Sequence, residues 1–278
     1  MPELPEVETI GRALHLQLVG ARILQVEVRQ PRLRRLVDIE ALVAGCVDRR
    51  IEAVRRRGKY LVVELNRQRC LVLHLGMTGS FRIEPAGAPT LPHDHVVWEL
   101  DDGRCWIFHD PRRFGCVVPA SLSLDDTGRR GPLPELGPEP LSDGFTVEDF
   151  HRRLSRRQAP IKNVLLDQRV VAGIGNIYAS EALFMAGINP RRRAARIGRD
   201  SCRRLHRALR EVLTEAIACG GTTISDYRSV DGLRGRFAVH LQVYGKPGEN
   251  CPRCGAVAKI RVLPMAGRST FYCPRCQH

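Results

Sequence analysis

The stretch CPRCGAVAKIRVLPMAGRSTFYCPRC, residues 251–276, decides how the end of this chain folds. It reads C-x2-C-x18-C-x2-C. Each CxxC pair brings two thiolates within reach of one ion. Cys251, Cys254, Cys273 and Cys276 together make a closed tetrahedral shell. Such a shell leaves no position for water, so the reading is one structural Zn2+. A redox dithiol pair is the alternative, but two CxxC units flanking a hairpin-like segment argue against it. Ala266–Thr270 forms the hairpin tip and carries Arg268, a side chain able to reach a phosphate or simply to be solvated.

Upstream of these cysteines the pattern is helical. Ser201–Cys219 is amphipathic: Leu205, Leu209, Val212, Leu213, Ala216 and Ile217 share a face, and Arg203, Arg204, Arg207 and Arg210 lie largely off it. Gly220-Gly221 stops it. Helices are expected near 147–156, capped by Thr146 with Asp149, near 159–167, and near 176–186. VAGIGNIYASE, residues 171–181, delivers Asn176 at a helix start, where free N–H groups and the dipole favour phosphate. A plain turn with Asn176 as the N-cap is the competing reading. Residues 129–140, RRGPLPELGPEP, read as an interdomain linker. Before it come a helix led by Pro5, with Val7, Ile10, Leu14 and Leu18 on one face, and strands at 23–29, 51–65, 70–83, 95–100 and 104–108. Repeated short strands suggest a sandwich or barrel.

The chain has 278 residues and a net charge of +14, which is unevenly placed. Residues 1–145 hold 20 Lys+Arg against 20 Asp+Glu; the remainder hold 24 against 10. A neutral half joined to a basic half suggests a polyanion partner held through its backbone. No run of apolar residues is long enough for a membrane helix, and no signal peptide is visible. The six scattered cysteines (Cys46, Cys70, Cys105, Cys116, Cys202, Cys219) are expected to be reduced thiols.

MPELPEVET opens the chain. Removal of Met1 would leave Pro2 as a secondary amine with an ordinary pKa of about 7.7–8.0, partly nucleophilic at neutral pH. Such an amine attacks an aldehyde-like carbon to give an iminium. Glu3 stands beside it as a proton source. DPRRFG, residues 110–115, and GMTG, residues 76–79, each present a bulky apolar residue, Phe114 and Met77, of the kind that unstacks base steps. Lys59 lies at a strand start.

Together these segments resemble the bacterial formamidopyrimidine-DNA glycosylase family, the 8-oxoguanine DNA glycosylase/AP lyases. PELPEVET, RGKYLVVEL, LHLGMTGS, HDH, DPRRFG, LGPEPLSDGF, IKNVLLDQ, VAGIGNIYASE, GGTT, LQVYG, CPRCG and TFYCPRCQ carry the resemblance in family order over essentially the whole chain. It implies a multidomain α+β fold: an N-terminal catalytic β-sandwich at 1–130, a linker at 131–141, a helix–two-turn–helix domain with a lesion-capping loop at 142–240, and a four-cysteine zinc ribbon at 241–278. DNA is expected across the cleft between the halves. Pro2 resembles the nucleophile at C1′, Glu3 the acid, and Glu6 its supporting carboxylate. Lys59 is similar to the proton donor for β-elimination, and Arg268 to the phosphate-gripping arginine assigned to δ-elimination. His93, Arg112, Arg157, Lys162 and Asn176 match DNA-contacting positions. Met77, Arg112 and Phe114 match the trio that fills the gap left by the flipped base. The expected partner is damaged double-stranded DNA, with no membrane and no obligate protein partner, in the bacterial cytoplasm near the nucleoid. DGLRGRF, residues 231–237, departs from the usual aromatic-containing capping loop. An endonuclease VIII-type pyrimidine glycosylase and a non-catalytic zinc-containing DNA-binding protein are the alternatives.

Overall fold

The structure is a computed structural model and describes residues 2–122, 133–222 and 237–278. Met1, linker residues 131 and 132, and positions 231–236 of the expected capping loop lie outside them. The chain divides into two compact units: Met1–Pro134 with Gly220–Arg236, and Glu135–Cys219 with Phe237–His278.

The first unit opens with helix α1, Leu4–Leu18. Pro5 sits in its first turn, where a missing N–H costs nothing. Val7, Ile10, Leu14 and Leu18 are buried as their spacing predicts. The strands are β1 (Ile23–Val28), β2 (Ile51–Arg57), β3 (Tyr60–Leu65), β4 (Arg69–His74), β5 (Ser80–Pro85), β6 (Asp94–Leu100), β7 (Arg104–His109) and β8 (Cys116–Ser121). They form two antiparallel four-stranded sheets, ordered β1-β6-β7-β5 and β2-β3-β4-β8. One apolar core, with Leu14, Leu61, Leu73, Phe81, Trp98 and Phe108 in it, is shared by both sheets and α1. That is a β-sandwich with a helix packed on it. Two expected single strands are hairpins or broken: 51–65 turns at Gly58 (φ 58°), and 70–83 breaks at Gly76 (φ 64°). The short helix α2, Ile39–Cys46, and strand β8 were not expected; Asp38 caps α2 through the Ala41 N–H at 3.0 Å.

The second unit contains α3 (Val147–Ser155), α4 (Ile161–Leu166), α5 (Asn176–Ala186) and α6 (Arg199–Ala218). Thr146 caps α3 by accepting the Asp149 N–H at 3.1 Å. The Asp149 carboxylate turns instead to Arg152 and Arg153. The ribbon follows as β9 (Asn250–Cys251), β10 (Gly255–Lys259), β11 (Arg261–Met265) and β12 (Arg268–Tyr272), paired β9 with β10 and β11 with β12. Ala266 (φ 49°) and Gly267 (φ 69°) make the two-residue turn that a tight hairpin requires. The ribbon does not stand alone: Phe184 of α5 completes its small core with Val243, Cys251, Ala258, Ile260 and Cys273. No described helix is long and apolar enough to cross a membrane. The six scattered cysteines are free thiols. Burial pushes Cys46 and Cys202 up to about 12 and Cys70 to about 11, so these thiols are inert at neutral pH.

Candidate active site and nucleic-acid interface

At the head of α1, Pro2 is buried, and Glu3 and Glu6 are each 2% exposed. Glu6 stands at N3 of the helix and takes the Glu3 backbone N–H at 2.8 Å, half of a capping box. Its other oxygen accepts the Thr222 N–H at 2.8 Å, so residue 222 is fastened to the first turn of the chain. A Cβ on Gly221 (φ 83°) would lie 3.0 Å from that carboxylate, which makes this a position for glycine.

Lys59, 7% exposed, sits in the turn between β2 and β3. Arg56 braces that turn to α1. Its Nε donates to Glu8 at 2.7 Å, and its Nη1 donates to the Gly58 carbonyl at 3.2 Å. Burial opposes ionisation of Glu8, but Arg56 and Arg12 hold its carboxyl below the usual range. Composition carries no signal for this brace, because Arg56 reads as one of three consecutive arginines.

Met77, Arg112, Phe114 and His93 are all exposed, on loops of the same unit. The Arg112 guanidinium stacks over the Phe114 ring at 4.9 Å. His93 adopts φ 73°, next to Asp94, which is buried. Asp94 accepts the two terminal Arg82 guanidinium nitrogens at 3.0 Å, His109 Nδ1 at 3.0 Å and the Leu91 N–H at 2.8 Å. Burial works against its charge, yet these donors hold its carboxyl below the ordinary value. His74, absent from the expected set, accepts the Gly76 N–H on Nδ1 at 2.9 Å, so the neutral ring carries its proton on Nε2.

In the second unit, Lys162 is fully buried. Its ammonium donates to Asn176 Oδ1 at 2.5 Å, Thr270 Oγ1 at 2.6 Å and the Ser269 carbonyl at 3.4 Å. Asn176 is half-buried and its Nδ2 donates to the Ser269 carbonyl at 3.0 Å. Gly175, not Asn176, is the N-cap of α5. The turn before it is stapled by Gln168, which accepts the Gly173 N–H at 2.8 Å and donates to the Ile174 carbonyl at 2.8 Å. Glu181, one turn further into α5, is 1% exposed and accepts the N–H groups of Gln242, Val243 and Tyr244 at 2.7–3.0 Å. Burial nonetheless pushes its carboxyl up. Arg268 is exposed at the start of β12, adjacent to Ser269. Arg157 forms an ion pair with Asp167 at 3.5 Å. It lines a cavity of about 430 Å³ with Arg152, Arg153, Arg156 and Arg169.

The four ribbon sulfurs lie within 4.8 Å of one another, with Cys251–Cys276 at 3.8 Å and Cys254–Cys273 at 3.9 Å. Zn–S bonds of about 2.3 Å at tetrahedral angles give edges of about 3.8 Å, so the donors fit one zinc ion. The Cys273 N–H is satisfied by Gln277 Oε1 at 2.7 Å, which holds the second knuckle in shape.

Residues 1–117 match the family profile described as the formamidopyrimidine-DNA glycosylase N-terminal domain, 136–228 the H2TH domain of the same enzymes, and 248–278 a zinc finger found in FPG and IleRS. The chain is 47% identical to the formamidopyrimidine-DNA glycosylase of Acidithiobacillus ferrooxidans and 44% identical to that of Laribacter hongkongensis, covering 100% of both chains in each case. It resembles the crystal structure of the MutM (FPG) protein of Thermus thermophilus with a TM-score of 0.86 at 45% identity, over 99% of this chain and 98% of that one. A Lactococcus lactis FPG mutant in complex with Fapy-dG-containing DNA gives 0.90 at 37% identity over the full length of both.

Proposed function

Because the chain belongs to the formamidopyrimidine-DNA glycosylase family, whose members are base-excision-repair glycosylases and AP lyases, we propose that it removes 8-oxoguanine and formamidopyrimidines from duplex DNA through the amine of Pro2. Solved relatives in complex with DNA containing Fapy-dG and carbocyclic 8-oxo-G support that lesion class. The observation that carries the reading is the head of α1, where Pro2, Glu3 and Glu6 are all buried. Burying carboxylates costs stability, and such costs gather at functional sites.

A base inside a duplex exposes neither C1′ nor its damaged edge, so the nucleotide is extruded first. With Met1 removed, the Pro2 nitrogen forms a bond to C1′ while the bond to the base breaks, and the proton the amine gives up neutralises the departing base. Glu3 supplies the proton that opens the sugar ring, giving an iminium between Pro2 and C1′. Glu6 keeps the Glu3 backbone in place. The iminium acidifies C2′–H; its loss expels the 3′ phosphate, with Lys59 as the proton-transfer group. Loss of a second proton at C4′ expels the 5′ phosphate, gripped by Arg268. Hydrolysis of the iminium returns the amine.

Asn176, His93, Arg112 and Arg157 hold the DNA backbone, and the buried Lys162 acts on it through Asn176 and Ser269–Thr270. Met77, Arg112 and Phe114 occupy the gap. The zinc ion, held by the four cysteines, is structural and enters no step. The working division is 1–130, 142–240 and 241–278, and the protein operates on the chromosome in the bacterial cytoplasm. Borohydride trapping on a duplex with 8-oxoguanine opposite cytosine, followed by peptide mapping, tests the reading. An adduct on Pro2 is expected; an adduct on Lys59 or none at all would refute the nucleophile.

A further inference from the structure

Met77 and Phe114 are 41% and 44% exposed and stand on loops far apart in sequence. Two independent apolar tips would each lose conformational freedom on entering DNA. The structure does not leave them independent. Thr78, next to Met77, donates its hydroxyl to Asp110 Oδ1 at 2.6 Å, and the hydroxyl oxygen in turn accepts the Arg112 N–H at 3.3 Å. Asp110 is 0% exposed. Its Oδ2 accepts the Gly115 N–H at 2.8 Å, and its backbone carbonyl accepts the Arg113 N–H at 3.1 Å and faces His95 Nε2 at 2.8 Å. Its own N–H donates to the His93 carbonyl at 3.1 Å. A Cβ on Gly76 would meet the Phe114 carbonyl carbon at 2.3 Å, so the two loops touch backbone to backbone.

A buried carboxylate with both oxygens committed to loop donors is a costly way to shape one turn. It is an effective way to fasten two. We propose that Thr78 and Asp110 form a positioning pair that joins loops 76–79 and 111–115 into one rigid body, so that Met77, Arg112 and Phe114 enter the vacated gap together. The proposal rests on the reading above that these three fill the gap. Neither Thr78 nor Asp110 touches the reacting atoms; both act through the wedge. The pair therefore matters for extruding a stacked base and matters little at an abasic site, where no base has to be unstacked.

The test compares single-turnover base release from 8-oxoguanine opposite cytosine with strand cleavage at a preformed abasic site, using full-length protein. Thr78→Val is expected to slow base release about tenfold, the scale of one lost hydrogen bond to a charged group, with abasic cleavage changed by less than about threefold. Thr78→Ser, which keeps the hydroxyl, restores base release. In a Met77→Ala background, Thr78→Val adds less than about threefold, because its effect passes through the wedge. Equal slowing of both reactions, no slowing of base release, or an undiminished loss in the Met77→Ala background overturns the proposal. If Met77→Ala itself leaves base release unchanged, the gap-filling reading falls and the pair's role with it. Asp110→Asn, read by the same pattern, is the second variant should Thr78→Val fail to fold.

Discussion

The Lys162 ammonium donates to the Asn176 side-chain carbonyl at 2.5 Å, and that bond fixes which way the amide points. The Asn176 NH2 is thereby directed to the Ser269 carbonyl and towards the Tyr244 hydroxyl, 3.4 Å away. A lysine with no exposed surface sets the direction of its neighbour's amide, and that neighbour is the one proposed to meet DNA.

Asn176→Ala is therefore expected to weaken binding to lesion and undamaged duplexes alike, by about tenfold, as a backbone contact does. Because Asn176 is neutral, the slope of log K against log salt should stay as in the wild type, whereas Arg268→Ala should reduce it by about one. Fluorescence anisotropy over a salt series measures both. A loss confined to lesion DNA would contradict the assignment.

Replacing Pro2 separates chemistry from binding. Pro2→Gly should lower strand cleavage and covalent trapping by about two orders of magnitude or more, with DNA affinity changed only a few-fold. An unchanged elimination rate in single-turnover assays would remove Pro2 from the mechanism.

His74 gives the fold an acid limit. Burial, with Arg34 and Lys59 adding to it and Asp110 opposing, drives the ring from 6.5 down to about 4. The folded state keeps the ring neutral, while the unfolded chain takes up a proton below 6.5. The contribution is complete above pH 6.5 and is lost as pH falls towards 4. It amounts to about 3 kcal/mol. In urea unfolding, His74→Asn should flatten the pH dependence across that window; an identical profile would assign the limit to another group.

Removing zinc should cost the ribbon first. Its core is six buried residues, too few to hold a fold, whereas the two sheets of the first unit share a core of their own. A strong chelator is expected to abolish DNA binding while most of the far-UV circular dichroism survives. Retained DNA affinity in metal-free protein would show that the ribbon stands without its ion.

The parts legible in the sequence were those with a period or a spacing. The α1 face, the amphipathic α6, the CxxC pairs and the alternating strands all declare themselves within a few residues. What escaped depends on contacts distant in sequence. Arg56 matters because Glu8 lies within reach, Glu181 because residues 242–244 turn their N–H groups towards it, and His74 because Gly76 needs an acceptor. The breaks at Gly58 and Gly76 escaped because their flanks look like continuous strand; only the positive φ of each glycine ends it. Helix α2 escaped because eight residues carry too little periodicity to outweigh their neighbours.

The bond between Glu6 and Thr222 spans 216 positions. A chain made from its amino end presents Glu6 216 residues before Thr222. Through most of synthesis the head of α1 therefore lacks one of its fastenings.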